Sequence, residues 1–227
     1  MNTNKHIDAK TDGPPNAFCW TRFGTEAGET IDCILARKER ERLATDGLFL
    51  WGIGNSVGPA MRTLVDEERQ PMALFSPMRS RPKAVDVSPE RVVTWSRATD
   101  LNGDLWPLPN GVSVKSRAGS DAGRQKSYHF ALVCRSGSPL RLLESSCVVV
   151  ESLVNLLSGA KLGASQVTAV VRRLERHSQA QTVYPVAFCA ELVFPYFVRL
   201  EGPVDEMQPL SRRPRTAGAW QLPLLNA

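Results

Sequence analysis

Leu48-Phe49-Leu50-Trp51-Gly52-Ile53-Gly54 is an unbroken apolar run, followed by the glycine-bracketed loop Gly54-Asn55-Ser56-Val57-Gly58 and then by Pro59. A run of this length ending in glycine reads as a buried central strand, because a strand covered on both faces is apolar at successive positions. Pro59 fits the first turn of a helix, where its missing N–H breaks no bond, so a helix is expected to about Glu67. Upstream, Ile31, Ile34, Leu35 and Leu43 recur at helical spacing among Arg37, Lys38, Glu39, Arg40, Glu41 and Arg42. That pattern predicts a helix over Glu29 to Ala44 with a charged outer face, ended by Asp46-Gly47.

Outward from this centre the chain reads mainly as strands. Phe18 to Phe23 opens the ordered region with an aromatic and β-branched run, and Pro71 to Met78, Arg91 to Arg97 and Tyr128 to Arg135 follow the same composition. Val112 to Arg117 alternates with period two, which sets Lys115 and Arg117 on the face opposite Val114. Asp100 to Asn110 reads as loop. Two amphipathic helices are expected over Ser145 to Leu157 and Ser165 to His177, from Val148, Val149, Leu153, Leu156 and Leu157 in the first and Val167, Val170, Val171 and Leu174 in the second. Thr182 to Leu192 and Pro195 to Glu201 close the list as two strands. Helices inserted among strands, without strict alternation, give an α+β fold with a curved, mostly antiparallel sheet.

Length and composition set the frame. A chain of 227 residues with 42% apolar and 22% charged residues can bury a core without disulfides or metal. Residues 1–16 and 206–227 are polar or basic and read as tails around a single domain over 17–205. No apolar run is long enough to cross a bilayer, so a cytoplasmic protein with no membrane partner is expected. Cys19, Cys33, Cys134, Cys147 and Cys189 are scattered among apolar neighbours and read as reduced thiols.

Few residues carry a recognisable chemistry. Gly52, Gly54 and Gly58 miss the dinucleotide fingerprint by one residue, and no Gly-Lys-Ser/Thr is present. The helix opened by Pro59 still offers free N–H groups to an anion, with Asn55 and Ser56 at its mouth; a tight turn accounts for the same residues. His6, His129 and His177 lie far apart, so no metal and no cofactor is expected. Net charge is +5, with basic residues gathered at Arg79 to Lys83, Lys115 to Lys126, Arg172 to Arg176 and in the tail; a polyanion partner accounts for this, and so does a modest positive charge that keeps the protein in solution. Trp20, Trp51 and Trp95 fall on expected strands, with Arg22 beyond the first and Asn55-Ser56 beyond the second. Indoles so placed can stack an unpaired base, although for each tryptophan taken singly core filling is the better-supported reading.

Trp51-Gly52-Ile53-Gly54-Asn55, following an aromatic strand and preceding a short helix, resembles the Trp-x-Gly-x-x-Asn-like segment of PUA-like domains of the EVE, YTH and ASCH type, one residue shorter. The similar order of elements covers about Phe18 to Arg135. The resemblance implies a small barrel with flanking helices and a pocket for one flipped, modified base. Trp51, Asn55 and Ser56 would line that pocket and Trp20 or Trp95 would stack, while Arg79, Arg81, Lys115 and Arg117 would contact phosphates.

The leading expectation is therefore a non-enzymatic protein that binds DNA or RNA and reads a modified or flipped base. Two rivals remain open. One is an enzyme on a small phosphate-bearing or nucleotide substrate, with the Gly52 to Gly58 loop as anion cradle and His129 or Glu191 as acid or base. The other is a partner-docking protein that forms a homodimer through helices in 145–177.

Overall fold

A computed structural model describes residues 15–26, 28–54, 56–78, 92–95, 97–112, 114–117, 128–142, 147–163, 166–174 and 182–201. The chain opens with β1 (Ala17–Phe23), α1 (Ile31–Ala44), β2 (Leu48–Ile53), α2 (Gly58–Glu67) and β3 (Met72–Pro77). The middle carries β4 (Val92–Trp95), β5 (Arg97–Thr99), β6 (Leu105–Trp106), β7 (Val114–Arg117) and β8 (Tyr128–Arg135). The last part contributes β9 (Cys147–Val149), β10 (Leu153–Asn155), β11 (Thr168–Arg173), β12 (Val183–Pro185) and β13 (Phe188–Glu201).

These build a nine-stranded sheet in the order β10-β11-β1-β3-β13-β5-β6, with β8 also on β13 and β2 on β8. Apart from the parallel β1–β3 pair, its ladders are antiparallel. Two separate ribbons, β4–β7 and β9–β12, stand beside this sheet among the described residues.

Side-chain alternation shows that both faces of the sheet are covered. Ala17, Cys19 and Phe23 of β1, with Phe49, Trp51 and Ile53 of β2, enter one cluster with Ile34 and Leu35 of α1 and Met61 and Leu64 of α2. On the opposite face, Phe18 and Trp20 join Val148 of β9 and Leu153 of β10. Farther along that face, Leu50 joins Trp95 of β4 and Val114 of β7. Helices thus seal one side, and ribbons the other.

Helix α1 starts where Thr30 accepts from the Cys33 N–H at 3.3 Å. It stops where Asp46 (φ 51°) and Gly47 (φ 87°) turn left-handed. A Cβ at Gly47 would also stand 3.0 Å from the Ser136 carbonyl oxygen, so the turn needs glycine for space as well as for φ.

Five expectations change. The helices read over 145–157 and 165–177 are absent from the described residues there, which form β9, a single 3-10 turn (Val150–Ser152), β10 and β11. Barrel closure is not found either: the sheet stays open, with β8 and β2 on one side of β13, and β3 and β5–β6 on the other. Strand β2 is buried but not central, since it pairs with β8 alone among the described strands. The segment read as loop over 100–110 contains β6, which pairs with β5. Finally, β13 runs unbroken through Phe194-Pro195, absorbing the bend as a register shift between Leu192 and Phe197.

Candidate functional site

The three tryptophans do not converge. Trp51 is 5% exposed and packs edge-on against Phe23 (5.0 Å), Phe75 (4.7 Å) and Phe188 (5.6 Å) in the helix-side cluster. Trp20 is 1% exposed, with its ring 6.3 Å from that of Tyr184 across the sheet from Trp51. Trp95 is 3% exposed and stacks on His129 at 5.7 Å in the remaining cluster. Each indole fills a different core, so a base-stacking wall shared by them is corrected to three separate packing roles. The reason is the alternation itself: Trp51 points toward the helices and Trp20 toward the β9–β12 ribbon, whereas Trp95, on the β4–β7 ribbon, faces the sheet.

Around Trp51 the remaining expected residues split. Gly52 needs its missing side chain, because a Cβ there would meet Val114 Cγ1 at 2.7 Å and His129 Nε2 at 3.1 Å. His129 is therefore packed over the β2 backbone beneath the β4–β7 ribbon, and the glycine serves close approach and not anion binding. Ser56 is exposed, and its Oγ accepts weakly from the Gly58 N–H at 3.4 Å. Asn55 lies outside the described residues. Helix α2 begins without a side-chain cap on Val57. Glu191 lies on β13, with Met72 of β3 on one side and Arg135 of β8 on the other.

Arg22 makes a recognition-like contact. Its guanidinium lies 4.2 Å from the centroid of the Tyr184 ring, a cation–π arrangement that ties β1 to the β9–β12 ribbon. That contact, together with the partial burial of Arg22, is a structural clasp.

The phosphate-contact residues give a different picture. Arg79 and Arg81 lie outside the described residues, whereas Lys115 and Arg117 are on β7, opposite Thr94 and Val92 of β4. Because Val92 pairs with Arg117, the segment entering β4 (79–91) and the segment leaving β7 (118–127) attach at the same end of one ribbon. Residues 79–91 and 115–127 hold eight basic and three acidic side chains, a balance equal to the whole chain's +5. Topology thus sets two basic stretches of the sequence at the same end of one ribbon. Period two and composition identify each segment, but only the pairing shows that they share an origin.

Sequence reasoning missed the buried charge under α1. Lys38 Nζ donates to Glu41 Oε2 at 2.8 Å and Oε1 at 3.0 Å, with side chains 3% and 2% exposed. Desolvation is the largest influence on Lys38 and outweighs the attraction of Glu41, leaving the ammonium pKa at about 8. Cys19 is pushed up to about 12 by burial, and Cys134 is raised well above its ordinary value by the same cause. These thiols are protonated and poorly nucleophilic. Among the described residues, no group of His, Cys, Asp or Glu is arranged to hold a metal ion, and no helix is long and apolar enough to cross a membrane. No protein-family model, curated protein or solved structure matches this chain.

Proposed function

We propose that the protein binds nucleic acid through the sugar–phosphate backbone, using the basic segments rooted at the end of the β4–β7 ribbon. The observation that supports this reading is the Val92–Arg117 pairing, because two basic stretches of the sequence flank the same end of that ribbon. Clustered cations displace condensed counterions from a polyanion, giving affinity that is strongly salt-dependent and largely indifferent to sequence. What PUA-like domains imply about partners agrees with this. Their base pocket is not part of the proposal, because the Trp51 ring is enclosed by Phe23, Phe75 and Phe188.

Fluorescence anisotropy across a salt series, with single- and double-stranded DNA and RNA carrying plain and modified bases, tests the reading. Four phosphate contacts would give a slope of log affinity against log salt of about −3 to −4, depending on strandedness. Arg79→Glu with Arg81→Glu, and separately Lys115→Glu with Arg117→Glu, should each weaken binding and flatten that slope by about two contacts. A slope near zero, or charge reversals without effect, would remove the proposal. Equal affinity for plain and modified bases would confine it to backbone contact.

A further inference from the structure

A groove of about 300 Å³ lies between α2, the turn after β5 and the bend of β13. Met61, Val65 and Leu101 give it an apolar floor. Phe194 stands on its rim 74% exposed, the most exposed large apolar side chain among the described residues, with its ring edge-on to Tyr196 at 6.2 Å. An aromatic ring held against a second ring beside an apolar floor is the kind of surface that another apolar side chain covers.

The charge of this groove runs against that of the chain. Arg62 is engaged in the wall, donating through Nη2 to the Leu101 carbonyl at 3.3 Å. Asp66 and Asp100 also line the groove, leaving it net negative in a protein of net +5. Its complement is therefore a segment with cations close to large apolar side chains.

The chain beyond β13 has that composition. Arg212, Arg213 and Arg215 are followed by Trp220, Leu222, Leu224 and Leu225, with no acidic residue after Glu206. Reach is sufficient. Tyr196 and Glu201 are separated by about 17 Å of strand, whereas the eleven residues from Glu201 to Arg212 span up to about 36 Å. We propose that the segment Arg212 to Leu225 docks in this groove of its own chain, with Trp220 against Phe194 and Tyr196 and the arginines facing Asp66 and Asp100.

Hydrogen–deuterium exchange on the full chain tests the docking. Amides over 216–226 should exchange about tenfold or more slowly than in a synthetic peptide of the same sequence. Phe194→Asp, Asp66→Lys and Trp220→Ala should each return them to the peptide's rate while β8 and β13 keep their protection. Phe194 and Asp66 are exposed, so these changes leave the core intact. Peptide-like exchange in the unaltered chain, or protection that survives all three substitutions, would overturn the proposal. Protection present only at high protein concentration would also overturn it, assigning the groove to a second copy's tail.

Discussion

Helices α1 and α2 cover the same cluster, yet α1 buries Lys38 and Glu41 beside Ile34 and Leu35, while α2 buries Gly58, Met61 and Leu64. In α1 the charges satisfy one another: Glu41 accepts from Lys38, Arg37 lies 3.4 Å from the same carboxylate, and Arg37 reaches Glu29 at 2.7 Å. Helix α2 instead presents a narrow apolar stripe with its polar residues outside. A paired charge can therefore occupy a place that hydrocarbon fills elsewhere, but its energetics differ, because removing half of a pair strands the other half.

That difference gives the largest expected effect. Lys38→Met should lower unfolding free energy by about 3 kcal/mol, the lower end for a broken buried pair, since Arg37 remains beside Glu41. Adding Glu41→Leu to that variant should recover most of the loss in urea unfolding. If the double variant stays as unstable as the single one, the charges are irreplaceable and the contrast with α2 is deeper than packing. On the other helix, Met61→Ala should cost about 2–3 kcal/mol through the cavity it leaves, and no second substitution at a charged position should restore it.

Under α1 the buried lysine and the buried thiols of the same cluster respond to pH in opposite senses. The Lys38 ammonium has a pKa of about 8 in the folded chain against 10.5 when exposed, so the folded state releases this proton first. Stability from this group therefore rises with pH between those values. The cysteines act oppositely: Cys19 resists ionisation to about 12, against an ordinary 9.0, so the unfolded chain gains thiolate first and stability falls above about 9. Urea titrations should show stability rising by about 1 kcal/mol from pH 7 to 9 and then levelling or falling. Lys38→Met with Glu41→Leu should abolish the rise and keep the fall. A rise that persists in that variant would assign it to another group.

Helix α1 was legible because Ile31, Ile34 and Leu35 mark one stripe and Asp46-Gly47 a stop, although nothing in the pattern distinguished Lys38 and Glu41 from their solvated neighbours. Strand β11 was misread for a related reason. Val170 faces the helix-side cluster while Ala169 and Val171 face the other, so the strand is apolar at successive positions and loses period two. Val167, Val170, Val171 and Leu174 then match helical spacing by accident. The β-branched content of Thr168, Val170 and Val171 was the available signal against a helix. At 147–155 a 3-10 turn joins two three-residue strands, each too short to show a period. Among the expected site residues, the basic segments could be read locally. The burial of Trp20, Trp51 and Trp95 could not, because it depends on which ribbon or helix covers each face.

The smallest expected effect concerns how each helix begins. Thr30 caps α1 by accepting from the Cys33 N–H at 3.3 Å, and Asp32 adds negative charge to the first turn, whereas α2 starts at Val57 with no side-chain cap and no acid. Thr30→Ala should lower stability by about 0.5–1 kcal/mol, because the cap is exposed and its bond is long, so water takes over part of its role. Thr30→Asp should match or exceed Thr30, since a carboxylate both accepts the N–H and meets the positive end of the helix dipole. Equal stability of Thr30→Ala and the unaltered chain would mean that α1, like α2, is held by its buried face alone. The ion pair, not the cap, would then fix where the helix lies.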